Sequence, residues 1–387
     1  MSDPVTNPVK IQFYSLTAED LSRRVAELGW PTFRARQLMD WVYGKGVDNP
    51  ETMSNFAKSD RAKIAETFTF SMSTILRRQT SEDGTEKLLL GWPGGAVAET
   101  VMIPDANRRT ACVSSQVGCP VGCKFCASGL EGVKGNLTAD QIVEQVIALN
   151  RILRSQGTGT RGQQQKSVSH LTPDPSPLTP SSSITNIVFM GMGEPMANYA
   201  NVMQAVRVLH DSNGLNIGAR RITISTVGVP AKMRELAEEN LPLNLALSLH
   251  APNEPLRKEL IPWAEHFALD EILEATRYYF DRTGREITLE YILLASVNDR
   301  PEHAIQLARL CRTMRANVNL IRYNEVEPLP YKRPKSQDVL AFQEILRNAG
   351  VNAHVRKSRG RDIAAACGQL RRKEQVESGV VQLGIAR

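Results

Sequence analysis

The sequence has no run of eighteen or more apolar residues, and its opening, MSDPVTNPVK, lacks a charged stretch followed by an apolar one. Both absences argue against a membrane span and a secretory signal, so a cytoplasmic location is expected. Cysteine is scarce, six in 387 residues. In a reducing compartment so few thiols build no disulfide framework, and tight clustering among them speaks for metal binding or catalysis. Histidine is equally scarce, and neither an HxxxH pair nor a second CxxC pair occurs. A structural zinc site of two paired knuckles therefore lacks its second half. Neither charge sign dominates: 47 Lys and Arg stand against 41 Asp and Glu, a net +6 that only leans toward a polyanionic partner.

Apolar residues make up 42% of the chain, enough for a large core. Residues 1–70 carry short amphipathic helices that form a small accessory module. TAEDLSRRVAELG opens on a Thr cap and spaces Leu21, Val25 and Leu28 along one face, and PTFRARQLMDWVYGKGV does the same from Pro31. Between 71 and 109, STILRRQTS, TEKLLLGW and AVAETVMIP alternate with the turn signals Asp83-Gly84 and PGG, which predicts β-hairpins. From 110 to 374 strand-like and helix-like segments alternate. Strands are expected at ACVSSQV, ITNIVFM, RRITIST, LNLALSL, EITLEYIL and ANVNLIRY, with helices between and after them. Six βα units imply an α/β fold with parallel strands, either an open barrel or a doubly wound sheet, and place the chemistry at the C-terminal strand ends. Residues 155–183, rich in Gly, Gln, Ser and Pro, read as a disordered insertion, and residues 375–387 as a flexible tail.

Three of the six cysteines, Cys119, Cys123 and Cys126, fall within GCPVGCKFC. Zinc and a 4Fe–4S cluster both take four ligands as a rule, but a cluster that acts on a bound substrate leaves one iron open, and CxxxCxxC does that. The other candidates have plainer readings. Gly193 and Glu194 in GMGEP suit a strand-to-helix turn, and His250 alone suits a structural histidine. Cys112 passes for a small buried hydrophobe, Cys311 for a core thiol beside Leu307 and Leu310, and Glu99 for a strand-edge charge. The basic runs RKSRGR (356–361), YKRPK (331–335) and RRK (371–373) crowd the C-terminal third, where phosphates can be contacted.

CPVGCKFC, following a strand at the start of a (βα)6 series, resembles the radical S-adenosylmethionine (SAM) superfamily, whose fold is an open (βα)6 partial TIM-type barrel. ETVMIP, CVSSQVGC, GMGEP, STVGV, ALSLHAP, RYN and RGRDIAAACGQL follow in order from 99 to 370. Together with FRARQLMDWVYGKGV they are similar to the RlmN family of RNA methyltransferases over nearly the whole chain. The insertion and the loop CASGLEGVKGN depart from the family pattern. The resemblance implies one 4Fe–4S cluster on Cys119, Cys123 and Cys126, with SAM completing the open iron. It implies SAM contacts from Gly193, Glu194, Ser225, Ser248, Leu249, His250 and Asn324. Cys367 becomes an exposed nucleophilic thiolate, favoured by Lys357, Arg359 and Arg361, with Cys112 as its resolving partner and Glu99 as a base or a holder of the adenine.

The activity so implied is methylation of adenine carbon 2, a position that ordinary displacement cannot reach. One SAM methylates Cys367, and a second yields a 5′-deoxyadenosyl radical that activates the S-methyl group. A protein–RNA adduct forms, and a Cys112–Cys367 disulfide releases it. The implied substrates are an adenosine of 23S rRNA near the peptidyl-transferase centre and the adenosine 3′ of the anticodon in tRNA. The N-terminal module and the basic segments are expected to grip the RNA around an extruded base. A flavodoxin or ferredoxin is the expected electron donor, and a monomer the expected state. Two alternatives stand beside this reading: a related enzyme that methylates carbon 8 of the same rRNA adenine, and a non-catalytic zinc-containing RNA-binding protein.

Overall fold

In the computed structural model, which describes residues 10–157 and 183–370, Thr17 starts helix α1 (Ala18–Glu27) with a reciprocal cap. Its Oγ1 accepts from Asp20 N, and the Asp20 carboxylate accepts from Thr17 N. Such a cap stabilises a helix by about 1 kcal/mol. Leu21 and Val25 are fully buried on the face that the spacing predicts, with Leu28 packed at its edge. Helix α2 (Phe33–Met39) runs on into a π-turn at Asp40–Gly44, and α3 (Lys58–Thr67) completes the module. An aromatic cluster forms its centre. Phe13 meets the rings of Tyr14, Tyr43, Phe68 and Phe70 at centroid distances of 5.1 to 6.1 Å.

The predicted hairpins follow. Strands β1 (Thr74–Thr80), β2 (Glu86–Gly91), β3 (Val97–Asp105) and β4 (Arg108–Cys112) pair antiparallel in succession. Strands β5 (Asn186–Phe189), β6 (Ile222–Thr226), β7 (Asn244–Ser248), β8 (Ile287–Leu293), β9 (Ala316–Arg322) and β10 (Ala353–Arg356) then join in chain order, each parallel to the one before. Helices α4 (Ala139–Gly157), α5 (Tyr199–His210), α6 (Pro230–Ala237), α7 (Glu254–Leu260), α8 (Leu269–Thr283), α9 (Pro301–Cys311) and α10 (Ser336–Asn348) lie between the strands. Alternate residues of β3 to β10 enclose a cavity, so the sheet is an open barrel whose edge strands are β1 and β10. Among the described residues no helix is long and apolar enough to cross a membrane.

Two expectations need correction. ACVSSQV is not one strand: β4 ends at Cys112, and Gln116–Gly118 pairs instead with Val133–Asn136 in a separate ribbon. Two side-chain bonds hold the break, Ser114 Oγ donating to Glu99 O (2.6 Å) and Gln145 Oε1 accepting from Ser114 N (2.8 Å). A seventh parallel strand, AHVR in β10, follows α10; four residues with a charged end give too weak a period to be read. The hairpins extend the same sheet through β1 to β3, so the boundary at 109 falls inside β4. The insertion beyond Gly157 and the tail beyond Leu370 lie outside the described residues, and residues 155–157 belong to α4.

The N-terminal module shares its core with the barrel. Glu144 of α4, fully buried, accepts from Met72 N (3.0 Å), Ser73 N (2.7 Å) and Trp92 Nε1 (3.0 Å), which fastens the junction of module and sheet to the first barrel helix. A carboxylate so placed is stable only because N–H donors replace its water.

Candidate active site

The ribbon of Gln116–Gly118 and Val133–Asn136 carries the loop 119–132. Gly118 stands at φ +81°, where a Cβ would lie 2.0 Å from Gly132 O, so the arms close only on glycine. Cys119 N donates to that same carbonyl (3.2 Å), and Cys126 N to Cys123 O (3.1 Å). The three thiols turn inward against Val121, Phe125, Leu260 and Ile261. Burial pushes Cys119 up to about 12 and raises Cys123 and Cys126 as well. Beside Cys123 lies the buried guanidinium of Arg257, lowered to about 10 chiefly by burial, with Nη2 donating to Val227 O. Among the described residues no three His, Cys, Asp or Glu side chains converge closely enough to hold one metal ion. The three thiol donors, which face a cavity, fit a 4Fe–4S cluster with one iron left to a ligand.

These cysteines line a cavity of about 140 Å³ at the C-terminal strand ends, together with Gly193, Glu194, Ser225, Ser248, His250 and Cys367. Gly191 and Gly193 are glycine for packing: a Cβ on either would meet Val113–Gln116 at 2.7 Å. Glu194 is buried, its carboxylate accepting from Met196 N (3.0 Å) and Val227 N (2.9 Å), and burial raises its pKa. Ser225 Oγ and Ser248 Oγ are 3.3 Å apart. His250 stands at φ +57°, its ring edge-on to Phe125 at 5.0 Å. Its Nδ1 accepts from Ile292 N (3.1 Å), and burial first, then the Arg257 charge, lower it to about 3, so the ring is neutral with its proton on Nε2. His250 thus both lines the cavity and bonds to the backbone of β8. Leu249 and Asn324 stand apart from this cavity. Leu249 is wholly buried in the main core, and Asn324, its Oδ1 accepting from Arg333 (2.9 Å), faces a second cavity instead.

That second cavity, of about 820 Å³, runs down the barrel from Cys367 and Cys112 to Asn186, Arg221 and Asn244 at the N-terminal strand ends. Six cations line it, Arg108, Arg220, Arg221, Arg356, Lys357 and Arg359, against two acids, Asp105 and Glu290. The balance suits a phosphate-bearing ligand. Cys367 is half-buried, not exposed, because its loop is tied to the cluster loop: Ala127 N donates to Gly368 O and Ser128 Oγ to Leu370 O, both at 2.8 Å. The cation it faces is Arg356, whose pKa is raised first by Cys367. The expected activators recede. Arg359 reaches toward Asp105 at 3.9 Å, and Arg361 is exposed. Burial, and second the nearness of Cys367, push Cys112 up to about 12. Cys311 is core, as expected. RRK at 371–373 lies outside the described residues.

Glu99 is neither an exposed edge charge nor on the wall of either cavity. It is buried, paired with Lys87 Nζ at 3.0 Å, and the same ammonium donates to Ala364 O (3.2 Å) in the Cys367 loop. Arg257, Glu290 and Arg356 are site residues that the sequence reading passed over. Only Arg356 left a trace, as the first residue of a basic run.

The N-terminal domain model of the ribosomal RNA large subunit methyltransferase family matches residues 11–70. A probable dual-specificity RNA methyltransferase RlmN of Dictyoglomus thermophilum is 43% identical over 345 residues, 89% of this chain and 92% of that protein. Its namesake in Bacillus cytotoxicus is 40% identical over 95% of each chain. The chain belongs to the RlmN family. A radical SAM methyltransferase of Sphaerobacter thermophilus, 41% identical, superposes with a TM-score of 0.84 over 93% of this chain and 99% of that one. Membership in the RlmN family, a family of radical SAM RNA methyltransferases, implies a 4Fe–4S cluster and SAM, which the three thiols and the cavity beside them fit.

Proposed function

We propose that the chain methylates carbon 2 of an adenosine in 23S rRNA, near the peptidyl-transferase centre, and of the adenosine 3′ of the anticodon in tRNA. One observation carries this reading: Cys367 lines both cavities, with the three cluster cysteines on one side and Cys112 on the other. With a cluster on Cys119, Cys123 and Cys126 and SAM beside it, the site gains a one-electron reductive cleavage that yields a carbon radical. Glu194, Ser225, Ser248 and the backbone at Gly193 and His250 hold the SAM, and Glu194 accepts from its amino group. Cys367 accepts a methyl group from one SAM, and a second SAM is consumed per turnover when that S-methyl group is activated and joined to the base. Cys112 then takes Cys367 into a disulfide and frees the RNA. Glu99 lines neither cavity; paired with Lys87, whose ammonium donates to Ala364 O, it positions the Cys367 loop rather than touching the base. A flavodoxin- or ferredoxin-type donor supplies the electrons.

Cys112→Ala is expected to trap a covalent protein–RNA adduct, seen as a shifted band that survives denaturation. Cys367→Ala should load iron normally and yield no methylated adenosine; methylated product from that variant contradicts the mechanism.

A further inference from the structure

Five residues face both cavities: Met190, Glu290, Ile321, Arg356 and Cys367. Two are apolar, one is the nucleophile and one a cation. Glu290 is therefore the sole carboxylate among them. It sits on β8, paired in register with Ser248 on one side and Asn319 on the other, and is 4% exposed. Asn319 Nδ2 donates to Oε1 at 3.0 Å, whereas Oε2 has no hydrogen-bond partner among the described residues. A buried carboxylate oxygen without a donor is costly, and a polar group fixed on one side and open on the other is the usual form of a ligand contact. Arg356 lies near enough to influence Glu290 and offsets its charge, as burial raises the pKa of Glu290.

We propose that Glu290 is a specificity-determining residue that positions the substrate base, its open Oε2 accepting from the exocyclic amino group of adenine while Asn319 fixes Oε1. The inference rests on the adenosine reading above. Chemistry favours the base over the other candidates. Carboxylates read exocyclic amines of nucleobases, and an extruded base is held through that edge. The SAM side already has Glu194, Ser225 and Ser248. Cys367 and Glu290 on the same two walls present one base to a nucleophile at one edge and an acceptor at another.

The test uses the full chain, reconstituted without air, and a 23S rRNA fragment carrying either adenosine or purine riboside, which lacks the amino group, at the target position. Wild type should prefer adenosine at least tenfold in kcat/KM. Glu290→Leu should lose that preference and fall at least tenfold on adenosine, and Glu290→Gln, which keeps an acceptor, should recover part of both. Equal losses on the two RNAs would make Glu290 merely structural and overturn the proposal. A matching loss in the RNA-independent methylation of Cys367 would assign it to SAM, and overturn it too. Wild type that methylates neither RNA would strike the adenosine reading itself.

Discussion

Arg356 is the residue on which Cys367 depends most directly. Its half-buried guanidinium places a positive charge beside the sulfur that accepts a methyl group. Replacing it by glutamine keeps a polar side chain and removes the charge. RNA-independent methylation of Cys367, followed by mass spectrometry of the intact protein, should slow severalfold. A rate equal to wild type at neutral pH refutes that role. At this scale much was legible. The three cluster cysteines and Cys367, all singled out in the sequence, line the smaller cavity, and Cys112 and Cys367 the larger. Arg257, Glu290 and Arg356 were not, because single charged residues on strands and short helices carry no spacing signal; only the folded barrel brings them to the site.

Among the elements, the ribbon of 116–118 and 133–136 does the most for so few residues. It has no barrel partner and exists to hold the cluster loop. Gly118→Ala puts a Cβ 2.0 Å from Gly132 O in a left-handed conformation. We expect the iron content after reconstitution to fall severalfold while far-UV circular dichroism stays that of wild type, since the barrel core lies elsewhere. Full iron loading in that variant would show that the ribbon does not set the loop. The Thr17 cap, the hairpins and five of the six expected parallel strands followed from periodicity and turn residues. The broken strand at 113–115 did not, because such a run reads alike whether its bonds go to a sheet or, through Ser114, to the Glu99 carbonyl and the Gln145 side chain. Nor did β10, which is four residues long.

For the molecule as a whole, the surplus of cations along the larger cavity matters more than the net +6 of the chain. Arg220 and Arg221 stand exposed at its N-terminal mouth. If they contact phosphates, the logarithm of RNA affinity falls linearly with the logarithm of salt concentration, and the double change to Gln should reduce that slope by ~1 to 2. A slope unchanged in a titration between low and physiological salt would move the RNA path elsewhere. The division into a helical module and a barrel was readable from composition, but their shared core was not, because Glu144 meets Met72, Ser73 and Trp92 only in three dimensions. The central claim is the position methylated. The most direct measurement is mass spectrometry of nucleosides from 23S rRNA after anaerobic incubation with the iron-loaded chain, SAM and a reductant. The account predicts 2-methyladenosine; 8-methyladenosine, or no methylated adenosine from an iron-loaded preparation that methylates Cys367, would contradict it.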